Sequence, residues 1–597
     1  MEKCNRYIVL FKKLGKSFVF FVLLVMLCRL ATSETLYYAG DLGYVATFAI
    51  LFALISALWK FKTSHTILCL SFIFFYFMAA ILKRYVGMIL PEREITHTMG
   101  FALLLFSGVS LILYSAQNIK IGWLRKTMTG LACVLDIVFL LPPLMVLGYA
   151  LVNKSLFSSD IMLTLFQTNP EEIVAYLSDK NPWLWAIGFL CIGLIVGKHA
   201  GQTLKLHTAR KFGTLSLLAG AWFIYVLTAI SYKLNLCFLV NIGQTTYSTL
   251  QSFEDFRIER DKRMQNLQQL MNMNVVSSEK GIYVLVIGES TTKDHMQIYG
   301  YTRKTTPWLE EFVRQKDTIV FQNAYANHVH TVPALTYALS AENQYNNIKL
   351  SEAYSLIEVA KAAGYKTYWL SNQPKYGVLD TPLTTMASFA DVQEWLNVNT
   401  GDKIFASYYD EALVHKIPDD IQDDKVLIIV HLMGSHGSYR DRYPMSFDRF
   451  SGTDRRVDPY DNSILYNDYV LQRIYEKVSS DKNFKAWVYF SDHGDDPDRG
   501  LGHESSRFTY RMVRIPMIVR ISPQFAAQHL QEFENLKTNS TKPWTNDLIY
   551  DLMVRLMGIE QFSQIPSKLN ILSSEYNLSP DDVLLMHGQK KLTTTAN

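Results

Sequence analysis

Ala486-Trp487-Val488-Tyr489-Phe490 runs directly into Ser491-Asp492-His493-Gly494, and Tyr283-Val284-Leu285-Val286-Ile287 runs into Gly288-Glu289-Ser290-Thr291. In both places an apolar run of strand length ends in acidic or imidazole side chains. In open α/β sheets the carboxyl ends of strands are where ligands and metals bind. Glu289, Asp492 and His493 therefore read as one divalent-metal cluster, because oxygen and imidazole donors suit zinc and related ions. Taken alone, Glu289 is a weak signal, since a Glu after a strand is usually a solvated loop residue. Asp492-His493 is the stronger signal: an acid and an imidazole side by side can hold one ion, and Gly494 lets the chain turn away.

Around these two stretches, strand-like and helix-like segments alternate. Strands are expected at 282–287, 318–321, 366–370, 425–431, 486–491 and 514–521, and helices at 306–315, 332–341, 352–363 and 462–478. Such alternation predicts an α/β domain with a largely parallel sheet. Val426 to Val430 is an unbroken apolar run, as in a central parallel strand, and it ends in His431-Leu432-Met433-Gly434-Ser435-His436-Gly437. Two histidines five residues apart at a strand exit suit metal binding or donation to phosphate oxygens. His503 lies in a short loop returning from the Asp492 strand end, whereas Asp496 and Asp498 read as a charged surface loop. The hydroxyl nucleophile candidates are Ser290, Thr291, Thr331 and Ser435. Thr331 precedes Val332-Pro333 and a helix-like run, and so looks like an N-cap whose helix dipole favours an anionic substrate. An ordinary capping threonine fits the local sequence as well.

The first 231 residues read quite differently, as apolar runs at 18–32, 43–59, 66–82, 99–115, 129–150, 183–198 and 214–231. Crossing a bilayer takes roughly 20 mostly apolar residues, so about seven spans are expected, with five as the alternative. Lys3, Arg6, Lys12, Lys13 and Lys16 precede the first run; Lys60 and Lys62, Lys120, Arg125 and Lys126, and Lys205, Arg210 and Lys211 follow alternate later ones. The loops between carry Glu34 and Asp41, or Asp160, Glu171, Glu172 and Asp179. Basic loops stay inside, so the amino terminus is cytoplasmic and an odd number of crossings puts the carboxy-terminal domain outside. The first run lacks a clear cleavage site and reads as retained. Pro142-Pro143 are expected to break or kink the fifth. The resulting organisation is a transmembrane domain over 1–235, an amphipathic bridging segment over 236–280, and an extracytoplasmic domain over 281–597. A formal charge of +4 on 597 residues gives no reason for a nucleic-acid partner. All six cysteines lie at or before position 237, so metal chemistry in the outer domain must use carboxylate, imidazole and hydroxyl.

In order along the chain, Gly288-Glu289-Ser290, Tyr299-Gly300-Tyr301-Thr302-Arg303, Thr306-Pro307, Thr331, His431-x-x-Gly-Ser-His-Gly, Arg442-Tyr443-Pro444, Tyr466-Asn467-Asp468 and Ser491-Asp492-His493-Gly494 resemble the lipopolysaccharide-modifying phosphoethanolamine transferases. Those are bacterial enzymes of the alkaline phosphatase and sulfatase superfamily, and the likeness is greatest to the branch acting on the lipopolysaccharide core. The resemblance implies zinc (with Mn2+ or another divalent ion as alternatives) held by Glu289, Thr331, Asp492 and His493, and Thr331 as the residue that carries phosphoethanolamine taken from phosphatidylethanolamine. It implies substrate or second-metal roles for His436 and His503, with His431 a companion. The acceptor would be a cell-envelope glycolipid: lipopolysaccharide core or lipid A, with a periplasmic glucan also open. It places the protein in the bacterial inner membrane with its catalytic domain in the periplasm, and likens Asp160 to Leu177, with Thr168-Asn169-Pro170-Glu171-Glu172, to a stretch that shapes the lipid entrance. The chain departs from the lipid A-modifying relatives in lacking a cysteine beside the nucleophile and disulfides in the outer domain. Two rivals stand: a phosphoglycerol transferase or phosphodiesterase of the same superfamily, and a non-catalytic membrane transporter or scaffold.

Overall fold

The computed structural model describes residues 2–31, 39–85, 94–153, 157–167, 182–206, 212–231, 233–258, 265, 277, 279–373, 381–397, 408–452, 454 and 456–592. Thr168 to Glu172 lie outside them, as do Glu34, Asp179, Arg210, Lys211 and the connector residues Met264, Leu267, Leu270 and Met271. One compact unit holds Met1–Met162 and Lys180–Ser248, the other Leu163–Asp179 and Thr249–Asn597.

In the first unit every expected apolar run lies on a helix: Glu2–Ala31, Ala39–Leu58, Thr63–Tyr85, Glu94–Asn118, Gly122–Asn153, Pro182–Leu204 and Thr214–Ser231. Among the described residues, five rather than seven meet the length and apolarity of a crossing: Thr63–Leu82, Glu94–Asn118, Gly122–Asn153, Ala186–Leu204 and Thr214–Ser231. Leu42–Leu58, within helix Ala39–Leu58, is also apolar. The helix Gly122–Asn153 continues through Pro142 and Pro143 rather than breaking there. Polar side chains join the helices inside the bundle. His199 Nδ1 lies 2.7 Å from Asp136 Oδ2, Thr203 donates to the same oxygen at 3.1 Å, and Trp222 Nε1 donates to the Thr47 carbonyl at 2.9 Å. Side-chain hydrogen bonds of this kind hold membrane helices together where lipid supplies no hydrophobic drive. The helix Phe238–Ile258 opens the expected connector, and its buried Phe256 belongs to the core of the second unit.

The second unit is built on a seven-stranded sheet. In chain order its strands are β1 (Gly281–Gly288), β2 (Thr318–Val320), β4 (Lys366–Ser371), β5 (Val392–Trp395), β6 (Lys425–His431), β7 (Phe484–Ser491) and β8 (Met517–Ile521); β3 (Asn323–Tyr325) and β9 (Pro543–Thr545) form a separate parallel pair. The spatial order is β2-β8-β7-β1-β6-β4-β5, with β7, β1, β6, β4 and β5 parallel; at one edge β8 runs antiparallel to β7, and β2 antiparallel to β8. The six expected strands are all present. β8 starts three residues later than expected, since Pro516 has no N–H to give the ladder. β5 was not foreseen, being a four-residue, half-buried edge strand without an apolar run.

Alternation explains why the central strands are apolar throughout. Tyr283, Leu285 and Ile287 of β1, Leu427 and Ile429 of β6, and Ala486, Val488 and Phe490 of β7 enter one hydrophobic core. Ile282, Val284 and Val286, then Val426, Ile428 and Val430, then Trp487 and Tyr489 enter the core on the other face. A parallel sheet covered on both sides demands apolar residues at every position. Because β1 lies between β6 and β7, with Ile287 opposite His431 and Gly288 opposite Ser491, three polar strand ends emerge side by side.

Candidate active site

Glu289 leaves β1, and Asp492 and His493 leave β7; all three side chains are fully buried. Their ligand atoms lie within 4.8 Å of one another, with His493 Nε2 at 3.3 Å from Glu289 Oε1 and 3.4 Å from Asp492 Oδ2. Thr331, 42 residues from Glu289 in sequence, donates its hydroxyl to Glu289 Oε2 at 2.9 Å and has His493 Nε2 at 3.4 Å. The four residues expected to converge do so. Thr331 is not the N-cap, however: His330 holds that position, with extended backbone, and Thr331 is the first residue of the helix Thr331–Ala338. There its own N–H is one of the helix's unsatisfied donors, so the hydroxyl faces the carboxylates rather than capping.

Tight local geometry fixes Glu289. Ser290 has a left-handed φ of 57°, unusual for a residue with a side chain. Three hydrogen bonds hold it there: its N–H donates to Asp492 Oδ1, its hydroxyl to Glu289 Oε1, and its carbonyl accepts from Tyr460. Strain held by surrounding structure in this way is typical of functional sites. Gly434 (φ +55°) packs against Glu289 so closely that a Cβ would fall 2.6 Å from the Glu289 carbonyl and 2.8 Å from its nitrogen. Asp410 pins that loop by accepting from Met433 N and Gly434 N, both at 2.8 Å. Gly434→Ala is expected to cost at least about 2 kcal/mol of stability, read as a lower denaturant midpoint of the detergent-solubilised chain, together with weakened metal binding.

The donor set fits a divalent cation. Asp492 Oδ2 is buried with no hydrogen-bond partner, while Oδ1 already accepts from Ser290 N and His493 N. His493 Nδ1 donates to the Gly494 carbonyl at 3.1 Å, which orients the ring with Nε2 toward the carboxylates, where a metal ion would take the place of its proton, as in histidine ligands oriented by a backbone carbonyl. The electrostatics ask for positive charge at the same place. Burial opposes a charged His493, but Asp492 and Glu289 outweigh it and raise the imidazole to about 10. Burial likewise opposes a charged Glu289, yet the His493 cation holds that carboxyl well below its usual range. Burial and then Glu289 push Asp492 well above it.

His503 and His436 join this group. The His503 ring is 4.5 Å from that of His493 and 6.1 Å from that of His436, and His503 Nδ1 donates to Asp495 Oδ1 at 2.8 Å. His493, Asp495 and His503 make a second set of potential ligands, and Tyr439 holds the other Asp495 oxygen. Burial pushes His436 down to about 4. It therefore acts as a neutral ring. His431 stands apart: among the described residues it makes no ring contact with the other site histidines, and its ring meets the edge of Trp369 at 5.8 Å. Asp496 is not a surface residue but fully buried, accepting from the Thr509 hydroxyl; Asp498 is partly exposed and pairs with Arg511.

Two further residues reach the site unforeseen. Gln373, just beyond β4, donates to the Leu432 carbonyl at 2.8 Å and lies 3.4 Å from Glu289 Oε2. His330 sets its ring 5.5 Å from that of His503. The signal for Gln373 was its place after a third parallel strand; His330 offered only its adjacency to Thr331.

The sulfatase family model matches residues 282–559. The chain is 27% identical over 466 residues to phosphoethanolamine transferase EptC of Escherichia coli K12, covering 71% of this chain and 80% of that one. Similarity to phosphoethanolamine transferase CptA of Salmonella typhimurium is also 27%, over 462 residues, 68% of this chain and 76% of that one. The solved integral membrane lipooligosaccharide phosphoethanolamine transferase A of Neisseria meningitidis superposes with a TM-score of 0.57 at 18% identity, covering 87% of this chain and 98% of that one; this likeness is one of fold.

Proposed function

Residues 282–559 belong to the sulfatase family, attached to a polytopic membrane domain, and from that premise we propose that this chain moves phosphoethanolamine from phosphatidylethanolamine to a cell-envelope glycolipid by way of phospho-Thr331. It is an enzyme, a phosphoethanolamine transferase of the inner membrane with its catalytic domain in the periplasm, as its relatives of that name indicate. The observation that carries the finer reading is the Thr331 hydroxyl, 2.9 Å from Glu289 Oε2 in a buried cluster of two carboxylates and an imidazole.

Glu289, Thr331, Asp492 and His493 would hold a divalent ion, for which zinc suits the mixed oxygen and nitrogen donors. A bound ion of this kind supplies Lewis acidity, lowering the hydroxyl pKa and offsetting phosphoryl charge. Thr331 Oγ1 attacks the phosphodiester phosphorus. The Oγ1–P bond forms, the P–O bond to diacylglycerol breaks, and the proton lost by Thr331 is in the net reaction the one diacylglycerol gains. Helix Thr331–Ala338 contributes its free N-terminal amides, which favour negative charge on the phosphoryl oxygens. His436 and His503 line the place where those oxygens gather; burial keeps His436 neutral, so it donates or accepts one hydrogen bond without repelling the ion. In the second half-reaction an acceptor hydroxyl or phosphate displaces Thr331, restoring its proton. The acceptor is of the lipopolysaccharide core or lipid A class, and His431 has a supporting place at the β6 end.

The test is to incubate the purified full chain with phosphatidylethanolamine or with phosphatidylglycerol and weigh the Thr331 peptide. A phosphoethanolamine adduct from the first lipid alone is expected, stable until a glycolipid acceptor is added. A phosphoglycerol adduct, or steady donor hydrolysis with no acceptor, overturns the reading in favour of the superfamily rivals.

A further inference from the structure

Two buried asparagines and a histidine near the carboxyl terminus join the Thr331 helix to the Asp492 loop. Asn546, just after β9, donates from Nδ2 to the Asp492 carbonyl at 2.8 Å. Its Oδ1 accepts from both the backbone N and the Nδ2 of Asn327, each at 2.8 Å. Asn327, just after β3, also donates from Nδ2 to the Ala334 carbonyl inside helix Thr331–Ala338, at 2.9 Å. The remaining amide oxygen accepts from His587 Nε2 at 3.0 Å, and the His587 ring stacks on Tyr337 of the same helix, centroids 4.0 Å apart at 5°. Asn327, Asn546 and Asp492 are all fully buried. His587 reaches this place through a turn in which Met586, His587 and Gly588 all have left-handed φ.

We infer that Asn546 and Asn327, braced by His587, are positioning residues that set the distance between the Thr331 hydroxyl and the Asp492-bearing metal cluster. The physical reason is the shortness and completeness of the link. Thr331 and Asp492 are brought by different elements, and the backbone pairing that ties the chain ahead of the helix to residues 513–515 ends at Ala326, five residues before Thr331. Two amide side chains make that connection directly, and each amide uses both its donor and its acceptor. Amides suit the task because they bridge without adding charge beside Glu289 and Asp492. The pairing of β3 with β9 places Tyr325 opposite Thr545, two and one residues before the asparagines, so this small sheet serves to bring them together. His587 makes the last residues of the fold part of the same support.

The inference rests on the proposed role of Thr331, and the experiment separates the two. Asn546→Ala, Asn327→Ala, their double variant and Asn546→Asp are prepared as full chains in detergent. Each is assayed for single-turnover formation of the Thr331 adduct, for steady-state kcat and KM of the lipid donor, and for Zn2+ affinity by competition with a chelating dye. Asn546→Ala is expected to lower adduct formation and kcat about 10–100-fold, with weaker Zn2+ binding and an unchanged KM, as when the groups orienting metal ligands are removed. The double variant is expected to lose no more than about threefold beyond either single one, since both act through one link. Asn546→Asp, which keeps the acceptor for Asn327 but loses the donor to Asp492, is expected to match alanine in kcat. A kcat and Zn2+ affinity within threefold of the parent for folded Asn546→Ala overturns the inference, as does a loss confined to KM or to thermal stability. If the parent forms no Thr331 adduct, the reading of Thr331 fails first, while the Zn2+ measurement still reports on Asn546.

Discussion

Thr331→Ala is expected to reduce transfer by at least about 10³-fold and to abolish the covalent adduct, while leaving the fold nearly intact and weakening metal binding by the loss of one neutral oxygen ligand, with Glu289, Asp492 and His493 still in place. Removing a nucleophile leaves only the catalysis supplied by binding and electrostatics, and losses of about 10³ to 10⁶ in turnover are usual. The structural cost is small. Thr331 is the first residue of its helix, its methyl group is only partly buried, and its hydroxyl makes one strong hydrogen bond, to Glu289. That bond contributes about 1 kcal/mol, and Glu289 keeps Ser290 as a donor. Thr331→Ser separates chemistry from packing: it keeps the oxygen and loses the methyl that limits rotamers, so it is expected to form the adduct at a reduced rate. Mass spectrometry of the donor-treated protein and a transfer assay read both variants. An alanine variant that still transfers phosphoethanolamine at a tenth of the parental rate would remove Thr331 from the reaction and turn attention to Ser290, Thr291 or Ser435, of which Ser435 is held by Ser463 and Asn467.

The sequence revealed those parts of the site that follow from the sheet. Glu289, His431 and Asp492 were legible because an unbroken apolar run announces a central parallel strand, and such strands end on one side. His493 and His503 followed as neighbours of Asp492 on the chain. Nothing local announced that Thr331 would meet them; the order of motifs suggested it, and the helix beginning at Thr331 rather than capping on it explains why the local reading was divided. The burial of Asp496 was missed because a run of aspartates looks solvated until Thr509 is known to fold back on it. Asn327, Asn546 and His587 were invisible, since amides in loops have no periodicity and their partners lie up to 260 residues away. In the membrane unit the seven helices that carry the apolar runs could be read from the sequence, and among the described residues five of them meet the length and apolarity of a crossing.

Asp492→Asn is expected to move stability in opposite directions with and without metal. Glu289 and Asp492 are both fully buried and present oxygens within 4.8 Å of each other. Without metal, burial and then the neighbouring Glu289 push the Asp492 carboxyl well above its usual range, and an acid so raised costs folding free energy at neutral pH. Asparagine keeps an oxygen where Asp492 Oδ1 accepts from Ser290 and His493 and removes the charge at Oδ2, the atom without a partner. The metal-free variant should therefore gain stability; even 1 kcal/mol of net relief raises the melting point of a domain this size by about 2–4 °C. With Zn2+ the sign reverses. The parent gains stability in proportion to the logarithm of metal occupancy, whereas the variant, short of an anionic ligand, is expected to bind at least about 100-fold more weakly and to lose transfer with it. Melting curves of the chelator-treated and Zn2+-reloaded full chains should thus cross between parent and variant. If instead the variant melts below the parent in both states by the same amount, Asp492 is a structural carboxylate and the cation-binding reading of the cluster fails; if the parent does not respond to Zn2+, the site is built for another ion, and Mn2+ is the next to load.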